Sequence, residues 1–281
     1  MSDGSPARSR RRWRRTSLAI GASLVVFVVA VALLSFAWTP HSPYELDIAG
    51  RLQPPGASHW LGTDSLGRDI VSLLAAGSRT SLAVGLFAVA IGMGLGVGLG
   101  LLAATRRGWI DQAVMRLADF TFAFPALLSA IMLSAVHGPG LVTSVVAIGI
   151  FNVPVFARVT RASALTVHGR EFVLAARALG RNEWQIAFHH VLPNIAAMLV
   201  VQAALQFALA ILAEAALSYL GLGTQPPTPS WGRMLSDAQP LLFQAPQLAV
   251  YPGLAIALTV LGLNLTGDGL RDVLDPRTGR R

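Results

Sequence analysis

The sequence predicts an all-α integral membrane protein with six transmembrane helices. Three observations lead to this fold class. Only 13% of the 281 residues are charged and 53% are hydrophobic, whereas about 25% of the residues in a typical soluble domain are charged. Six apolar runs are long enough to cross a hydrocarbon core of about 30 Å. The 22 basic residues are all arginine, and most of them lie between these runs.

The first span follows a basic tail at residues 1–17. A signal peptide also begins with basic residues, but its apolar region is shorter and ends at a cleavage site of small residues. Here the uncharged run Leu18–Trp38 ends in an aromatic residue suited to the membrane interface. We therefore interpret residues 18–38 as a retained transmembrane helix.

Five further spans are predicted within a core that we place at residues 81–266. Two long connections, residues 39–80 and 220–247, lie between spans, and the prolines of the second favour turns over helix. Residues 267–281 form a C-terminal tail. The five predicted spans are Ser81–Thr105, Phe120–Val136, Leu141–Ala157, Asn194–Tyr219 and Leu248–Thr266.

The distribution of arginine predicts the orientation in the membrane. Cytoplasmic connections carry an excess of basic residues. If the N-terminus is cytoplasmic, eighteen arginines lie inside and only four lie outside, so we expect both termini in the cytoplasm and the connections 39–80 and 220–247 outside. The four outside arginines are Arg51, Arg68, Arg79 and Arg233.

Glycines recur in the second span with a spacing of four, at Gly92, Gly96 and Gly100 and again at Gly94 and Gly98. Small residues at this spacing allow helix backbones to approach closely in lipid. No strand precedes them, which argues against a dinucleotide-binding loop. We interpret the glycines as helix-packing positions.

The connection at residues 158–193 is the most informative segment for function. Glu171–Leu179 has a helix-forming composition, and Gly180 is placed to end that helix. Asn182 and Gln185 predict a capping box that starts a second helix, and Pro193 opens the next span. Two short helices joined at a glycine would form a compact knob. From the residues alone, this knob either docks a partner protein or rests on lipid headgroups.

The knob resembles the EAA motif of the membrane subunits of bacterial ABC importers. The usual apolar residue of that motif is His190 here, as is common in the peptide and nickel branch. The resemblance implies a coupling helix that seats in a cleft of an ATPase subunit, with small residues allowing close approach and charged residues fixing the register. The implied ATPase-coupling residues are Glu171, Ala175, Ala176, Arg177, Gly180, His190, Leu192 and Pro193.

Motifs along nearly the whole chain are similar to the "C" permease subunit of dipeptide, oligopeptide and nickel importers. They lie at residues 59–69, 77–82, 217–223, 230–232, 267–272 and 275–276. The external family motif comprises Leu61, Gly62, Thr63, Asp64, Gly67, Arg68 and Asp69. The resemblance implies the type I ABC importer permease fold in the bacterial inner membrane, as a multi-pass subunit.

This resemblance also implies the function and the partners. The chain would form half of the translocation pathway of an ATP-driven importer, most simply for dipeptides or oligopeptides, and nickel or another small solute is the alternative. Its partners would be a homologous permease subunit, two ATP-binding subunits, an extracytoplasmic solute-binding protein and the lipid bilayer. The outer connections would receive the binding protein or gate the cavity.

A proton-coupled secondary carrier is the alternative from a different class. Asp119 and Glu214 lie in or near spans, and an acid at membrane depth is a functional candidate by default. However, both lie near predicted span ends, where we expect interfacial positions. A carrier would also usually show an inverted repeat and more than six spans.

The composition argues against catalysis and against bound cofactors. Without lysine there is no Walker-type phosphate loop, and without cysteine there is no thiol nucleophile or iron–sulfur cluster. We expect His189 and His190 to be surface or packing residues, and Asp64 and Asp69 near His59 to cap turns and pair with Arg68. We therefore expect a transport subunit without its own ATPase site, metal, cofactor or nucleic-acid partner.

Overall fold

The structure is a computed structural model that describes the backbone of residues 6–274 and the side chains of residues 16–273. The outer parts of both predicted tails, including residues 275–276, lie outside the described residues. The described chain folds into α-helices with short 3₁₀ and π segments. The helices are α1 Pro6–Ala37, α2 Ile70–Arg106, α3 Gly108–Ala123, α4 Ala126–His137, α5 Leu141–His168, α6 Glu171–Ala178, α7 Glu183–Ile186, α8 Leu192–Tyr219, α9 Trp231–Ala238 and α10 Gln247–Leu274.

Five described helical stretches are long and apolar enough to cross a membrane, and they correspond to five of the six predicted spans. α2 begins at Ile70, well before the predicted start at Ser81, and α5 continues to His168 instead of ending at Ala157. α7, the π segment Ala187–Val191 and α8 follow one another without an intervening loop.

The prediction of a continuous third span over Phe120–Val136 was wrong. α3 and α4 replace it, and their axes are bent by 84°. Proline has no backbone N–H and disfavours helical geometry in the residue before it. Phe124, which precedes Pro125, is accordingly extended, with φ −99° and ψ 135°. If the bent pair is counted as one span, the described chain has six.

One of the two glycine rows of α2 lies against α5. Gly92 contacts Asn152 and Gly100 contacts Thr160, so the two helices run parallel. The predicted helix-packing role is thereby confirmed for one of the two glycine rows. Gly94 and Gly98 form the other row, and a methyl group added at either of them would meet no atom within 4 Å.

α1 and α10 run antiparallel, with Gly21 against Leu265 and Gly262 against Leu24. The directions of these two helix pairs, α2 with α5 and α1 with α10, define two ends of the bundle. One end holds the knob (residues 171–193) and the C-terminal ends of α2, α5 and α10. The opposite end holds a structure that we call the cap, residues 38–69 and 220–246. The cap lies at the end of α1, the start of α2 and the end of α8.

The second cap segment contains a helix, although its prolines predict turns. α9 begins after Ser230, whose Oγ accepts a hydrogen bond from the Arg233 N–H at 3.1 Å. A serine in this position stabilises the first turn of a helix. The prolines of the segment lie outside α9, so turns and a helix share the connection.

Candidate functional site

The first helix of the knob ends at a left-handed glycine, as predicted. Gly180 has φ +82°, and a methyl group added there would meet nothing within 4 Å. The Arg181 N–H donates to the Ala176 carbonyl at 3.2 Å, and the Gly180 N–H donates to the Arg177 carbonyl at 3.0 Å. This pair of hydrogen bonds is the Schellman motif. Glycine is therefore favoured at position 180 by backbone conformation and not by lack of space.

The predicted capping box at the second helix is confirmed. The Gln185 N–H donates to Asn182 Oδ1 at 2.8 Å, and the Asn182 N–H donates to Gln185 Oε1 at 3.2 Å. Both bonds satisfy amide groups that the first turn of a helix leaves without partners. Pro193 lies in the first turn of α8, also as predicted.

An ion pair joins the two helices of the knob. Arg177 Nε and Nη2 donate to the two carboxylate oxygens of Glu183, at 2.6 and 3.0 Å. The hydrogen bonds that Arg177 donates to Glu183 raise the pKa of the Arg177 side chain above its usual value. We had expected Arg177 to contact a partner protein, but within this chain it is bound to Glu183.

The inner face of the knob is part of the core of the bundle. Val173, Ile186 and Val191 are fully buried, and they belong to one apolar cluster with Leu101 of α2 and Ala164 of α5. Each fully buried apolar side chain stabilises the folded state by about 1.5–3 kcal/mol relative to leaving it exposed. The knob is thus packed firmly onto the ends of the long helices.

The outer face of the knob exposes both charged and apolar side chains. Glu171 and Ala175 are exposed, and Leu179 is 86% exposed. Ala176, which we expected to seat a partner together with Ala175, is instead buried against its own chain. Only part of the predicted coupling surface is therefore available to another protein.

The two histidines of the knob have different surroundings. His189 is exposed, with Nδ1 3.2 Å from the Gln185 carbonyl oxygen. His190 is half-buried, and its ring lies 6.3 Å from that of Phe172. The expectation of surface and packing roles is confirmed. Leu192 is half-buried at the start of α8.

Ion pairs attach α3 to α5. Asp119 pairs with Arg158, and Asp111 pairs with Arg161 through two hydrogen bonds, one of them 2.6 Å long. The Asp119 side chain is 68% exposed.

The external family motif folds into the first segment of the cap. Asp64 accepts hydrogen bonds from the backbone N–H groups of Leu66 and Arg68, at 2.9 and 2.8 Å, and its second oxygen binds the Arg68 guanidinium at 2.6 Å. Arg68 also lies 3.5 Å from the carboxylate of Asp237 in α9. Asp237 in turn pairs with Arg233 at 2.8 Å. Arg68 therefore joins two cap segments that are distant in the sequence.

Two glycines of the motif are required by the fold of this loop. Gly62 and Gly67 have φ values of +82° and +76°. A methyl group at Gly67 would lie 1.8 Å from the Asp47 carbonyl oxygen, a distance that no side chain tolerates. Between them the buried Thr63 hydroxyl donates to the Gly50 carbonyl at 2.6 Å. Leu61 packs in the apolar cluster beneath.

Asp69 caps α2. One carboxylate oxygen, Oδ2, accepts hydrogen bonds from the Ser72 N–H and Ser72 hydroxyl, both at 2.8 Å. The other oxygen, Oδ1, lies 3.0 Å from His59 Nδ1. The prediction that Asp64 and Asp69 cap turns is confirmed, whereas the expected pairing with Arg68 holds for Asp64 and was wrong for Asp69.

The burial of Glu214 was not foreseen. We expected an interfacial position, but the residue is 0% exposed in α8. It accepts hydrogen bonds from the Ser218 hydroxyl at 2.7 Å, the Ser81 hydroxyl at 3.1 Å and the Thr224 hydroxyl at 3.4 Å. The Trp231 N–H donates in turn to the Ser81 oxygen at 3.3 Å. This network ties α2, α8 and α9 together. The lone acid in an apolar run was the available signal, but its partners are too far along the chain to recognise.

Comparison with known proteins places this arrangement in one family. Residues 96–280 match the model of the binding-protein-dependent transport system inner membrane component. The chain is 44% identical to the dipeptide transport system permease protein DppC of Alkalihalophilus pseudofirmus, over 95% of this chain and 88% of that protein. It is also 44% identical to the glutathione transport system permease protein GsiD of Pectobacterium atrosepticum, over 95% of this chain and 89% of that protein.

A solved structure supports the same fold. A chain from the inward-facing MetNI methionine ABC transporter aligns with a TM-score of 0.60 and 19% identity, over 72% of this chain and 96% of that one. The bundle, the knob and the sequence matches agree, and the chain belongs to the family of binding-protein-dependent transport system inner membrane components, the permease subunits of ABC importers.

Proposed function

We propose that this permease forms half of the translocation pathway of a peptide importer and that its knob transmits the ATPase cycle to the membrane helices. The packing of the knob carries this proposal. Its inner face is continuous with the core of α2, α5 and α8, while its outer face exposes Leu179, Glu171 and Ala175. A force applied to the outer face would therefore move the long helices directly.

The proposed partners follow from the family. They are a homologous permease that completes the pathway, two ATP-binding subunits at the knob end and a solute-binding protein at the cap. The energy of coupling would come from contacts that differ between the two states of the ATPase dimer, because a contact of equal strength in both states shifts no equilibrium. The chain itself would contribute no ATPase site.

The orientation that we propose has both termini and the knob in the cytoplasm. Eighteen of the 22 arginines lie in segments assigned to that side, in agreement with the excess of basic residues in cytoplasmic connections. The cap would then face the extracytoplasmic side, where a binding protein delivers solute. The names of the relatives, a dipeptide and a glutathione permease, favour a short peptide as solute over nickel.

Substitution of exposed residues tests the coupling role without disturbing the core. Leu179→Glu at the knob should abolish most ATP-driven uptake by the assembled complex, whereas Phe243→Glu, at the fully exposed Phe243 of the cap, should not weaken ATPase binding. Gly180→Val should act like Leu179→Glu, and its matched control is Gly138→Val. Both glycines have positive φ and open surroundings, but Gly138 lies at the other end of the bundle.

The measurement is uptake of a labelled dipeptide into vesicles together with the amount of ATPase that copurifies. Normal uptake by an intact Leu179→Glu complex would contradict the coupling role. Uptake of a nickel chelate with no competition from dipeptides would leave coupling intact but contradict the proposed solute.

A further inference from the structure

Two histidines and an aspartate meet at the base of the cap. His59 Nδ1 lies 3.0 Å from Asp69 Oδ1, and His41 Nδ1 lies 3.8 Å from the same oxygen. The His41 and His59 rings are stacked at a tilt, with centroids 4.4 Å apart. One ligand atom from each of the three residues lies within 4.8 Å of the others.

We propose that His41, His59 and Asp69 bind a divalent transition-metal ion of the Zn²⁺ type. Two imidazoles and a carboxylate are ligands that Zn²⁺ takes in three-ligand sites, with water in the fourth position. Ligand atoms about 2.0–2.1 Å from a tetrahedral ion lie about 3.3 Å apart. The distances of 3.0 and 3.8 Å from Asp69 Oδ1 to the two histidines bracket this value, and the ligand atoms of His41 and His59 lie within 4.8 Å, so side-chain rotations that bring the two imidazoles together would complete the site.

The carboxylate is already held in the orientation that a metal ligand needs. Asp69 is buried, and both hydrogen bonds from Ser72 go to Oδ2, which leaves Oδ1 directed at the histidines. Hydrogen-bonded partners of this kind orient ligands and strengthen metal binding. The Arg68 guanidinium is bound by Asp64 and Asp237 and does not neutralise Asp69.

The position of the two histidines suits an ion that enters from solvent. The His59 side chain is 19% exposed and the His41 side chain is 44% exposed, so the side of the site away from Asp69 is open. A backbone hydrogen bond also fixes the chain at His41, because the His41 N–H donates to the Ser72 hydroxyl at 3.0 Å. Ser72 therefore positions both Asp69 and the His41 segment.

From the sequence we expected no metal site, because His59, Asp64 and Asp69 lie in a glycine-rich connection where such residues cap turns and pair with arginine. His41 joins the group through the fold, as it follows the end of α1 and returns to the start of α2. The ion would connect three parts of the chain: the exit from α1, the cap loop and the first turn of α2. Its binding would restrict motion of the cap segment 38–60 relative to α2.

The test uses the full chain in detergent, purified with a tag that contains no histidine and stripped of metal with a chelator. Zn²⁺ is then titrated against a fluorescent competitor. We expect one Zn²⁺ per chain, with binding at least about 10-fold weaker in His41→Gln and His59→Gln. His189→Gln replaces an exposed histidine at the other end of the bundle and should bind Zn²⁺ like the original chain.

Hydrogen exchange separates metal binding from loss of structure. In the original chain Zn²⁺ should slow exchange in residues 38–60, and in His41→Gln it should not, although the exchange rates without metal are the same. Absence of stoichiometric Zn²⁺ binding, or equal affinity in His41→Gln, would overturn the proposal. Equal protection by Mg²⁺ would overturn the assignment to a transition metal, because Mg²⁺ prefers oxygen ligands.

Discussion

Gly96 of α2 lies so close to Phe156 of α5 that a methyl group at Gly96 would be 2.6 Å from Phe156 Cβ. The same methyl group would also lie 2.5 Å from the Val153 carbonyl oxygen. The backbones of the two parallel helices can approach this closely because the side chain is missing. Gly98, one half-turn further along α2, faces open space.

Gly96→Ala should destabilise the bundle by about 1–3 kcal/mol through overpacking. The overpacking outweighs the helix propensity of alanine, which stabilises a helix by about 1 kcal/mol relative to glycine. Gly98→Ala makes the same change on the open face and should be neutral or slightly stabilising. Thermal unfolding in detergent measures both, and a Gly96→Ala chain as stable as Gly98→Ala would contradict the close approach.

Glu214→Ala should lower stability by at least about 2 kcal/mol. The substitution leaves the hydroxyls of Ser81 and Ser218 buried without their acceptor, and each unsatisfied buried group costs about 1–3 kcal/mol. Glu45→Ala, at an exposed position of the cap, should change stability by less than about 0.5 kcal/mol. Denaturant unfolding followed by helix content compares the two, and equal stability would show that the network contributes little.

Charge exchange in the knob should reveal whether the Arg177–Glu183 pair acts as a unit. Arg177→Glu places two acids together and should reduce ATP-driven uptake, and the added change Glu183→Arg should restore much of it. Both side chains are about two-fifths exposed, so the stability coupling should not exceed about 1 kcal/mol. If the double variant transports no better than Arg177→Glu, each residue must act separately on a partner.

Gly67→Ala should disorder the first cap segment, because its methyl group would collide with the Asp47 carbonyl and φ would remain positive. We expect a loss above about 2 kcal/mol in the stability of that segment. Gly56→Ala is the control, since a methyl group there meets only the Pro54 carbonyl oxygen at 3.9 Å. Limited proteolysis between residues 38 and 69 measures the effect, and equal resistance of the two variants would contradict it.

Single introduced cysteines should report the orientation, because the chain has none of its own. In intact cells, an impermeant maleimide should label Ser58→Cys on the cap and should not label Ala175→Cys on the knob. Both positions are exposed. After the membrane is permeabilised and the ATP-binding subunits are removed from the knob, both should react. The reverse labelling pattern would invert the proposed topology.

Local signals in the sequence predicted most of the knob. Gly180, Asn182 and Gln185 act on neighbouring backbone groups, so their roles depend on a few adjacent residues. The bend at Pro125 was missed because the apolar run continues through it, and composition alone does not distinguish a kinked span from a continuous one. The continuation of α2 back to Ile70 was missed because Arg79 interrupts the apolar pattern. In the structure its Nε donates to Ser35 of α1 at 2.6 Å.

The parts of the site that escaped prediction depend on contacts between distant segments. Glu214 accepts a hydrogen bond from Ser81 of another helix, and Arg68 of the first cap segment pairs with Asp237 of α9. Ala176 appeared available to a partner because a motif gives residue type and not the direction in which the helix faces. A single sequence carries no information on such pairings until the helices are packed.

The bridge from Arg68 to Asp237 constrains how this end of the protein opens. Separating the two cap segments would break the 3.5 Å contact between Arg68 and Asp237, while Arg68 would keep Asp64 and Asp237 would keep Arg233 as counter-ions. The loss would be modest, and it favours movement of the two cap segments as one unit.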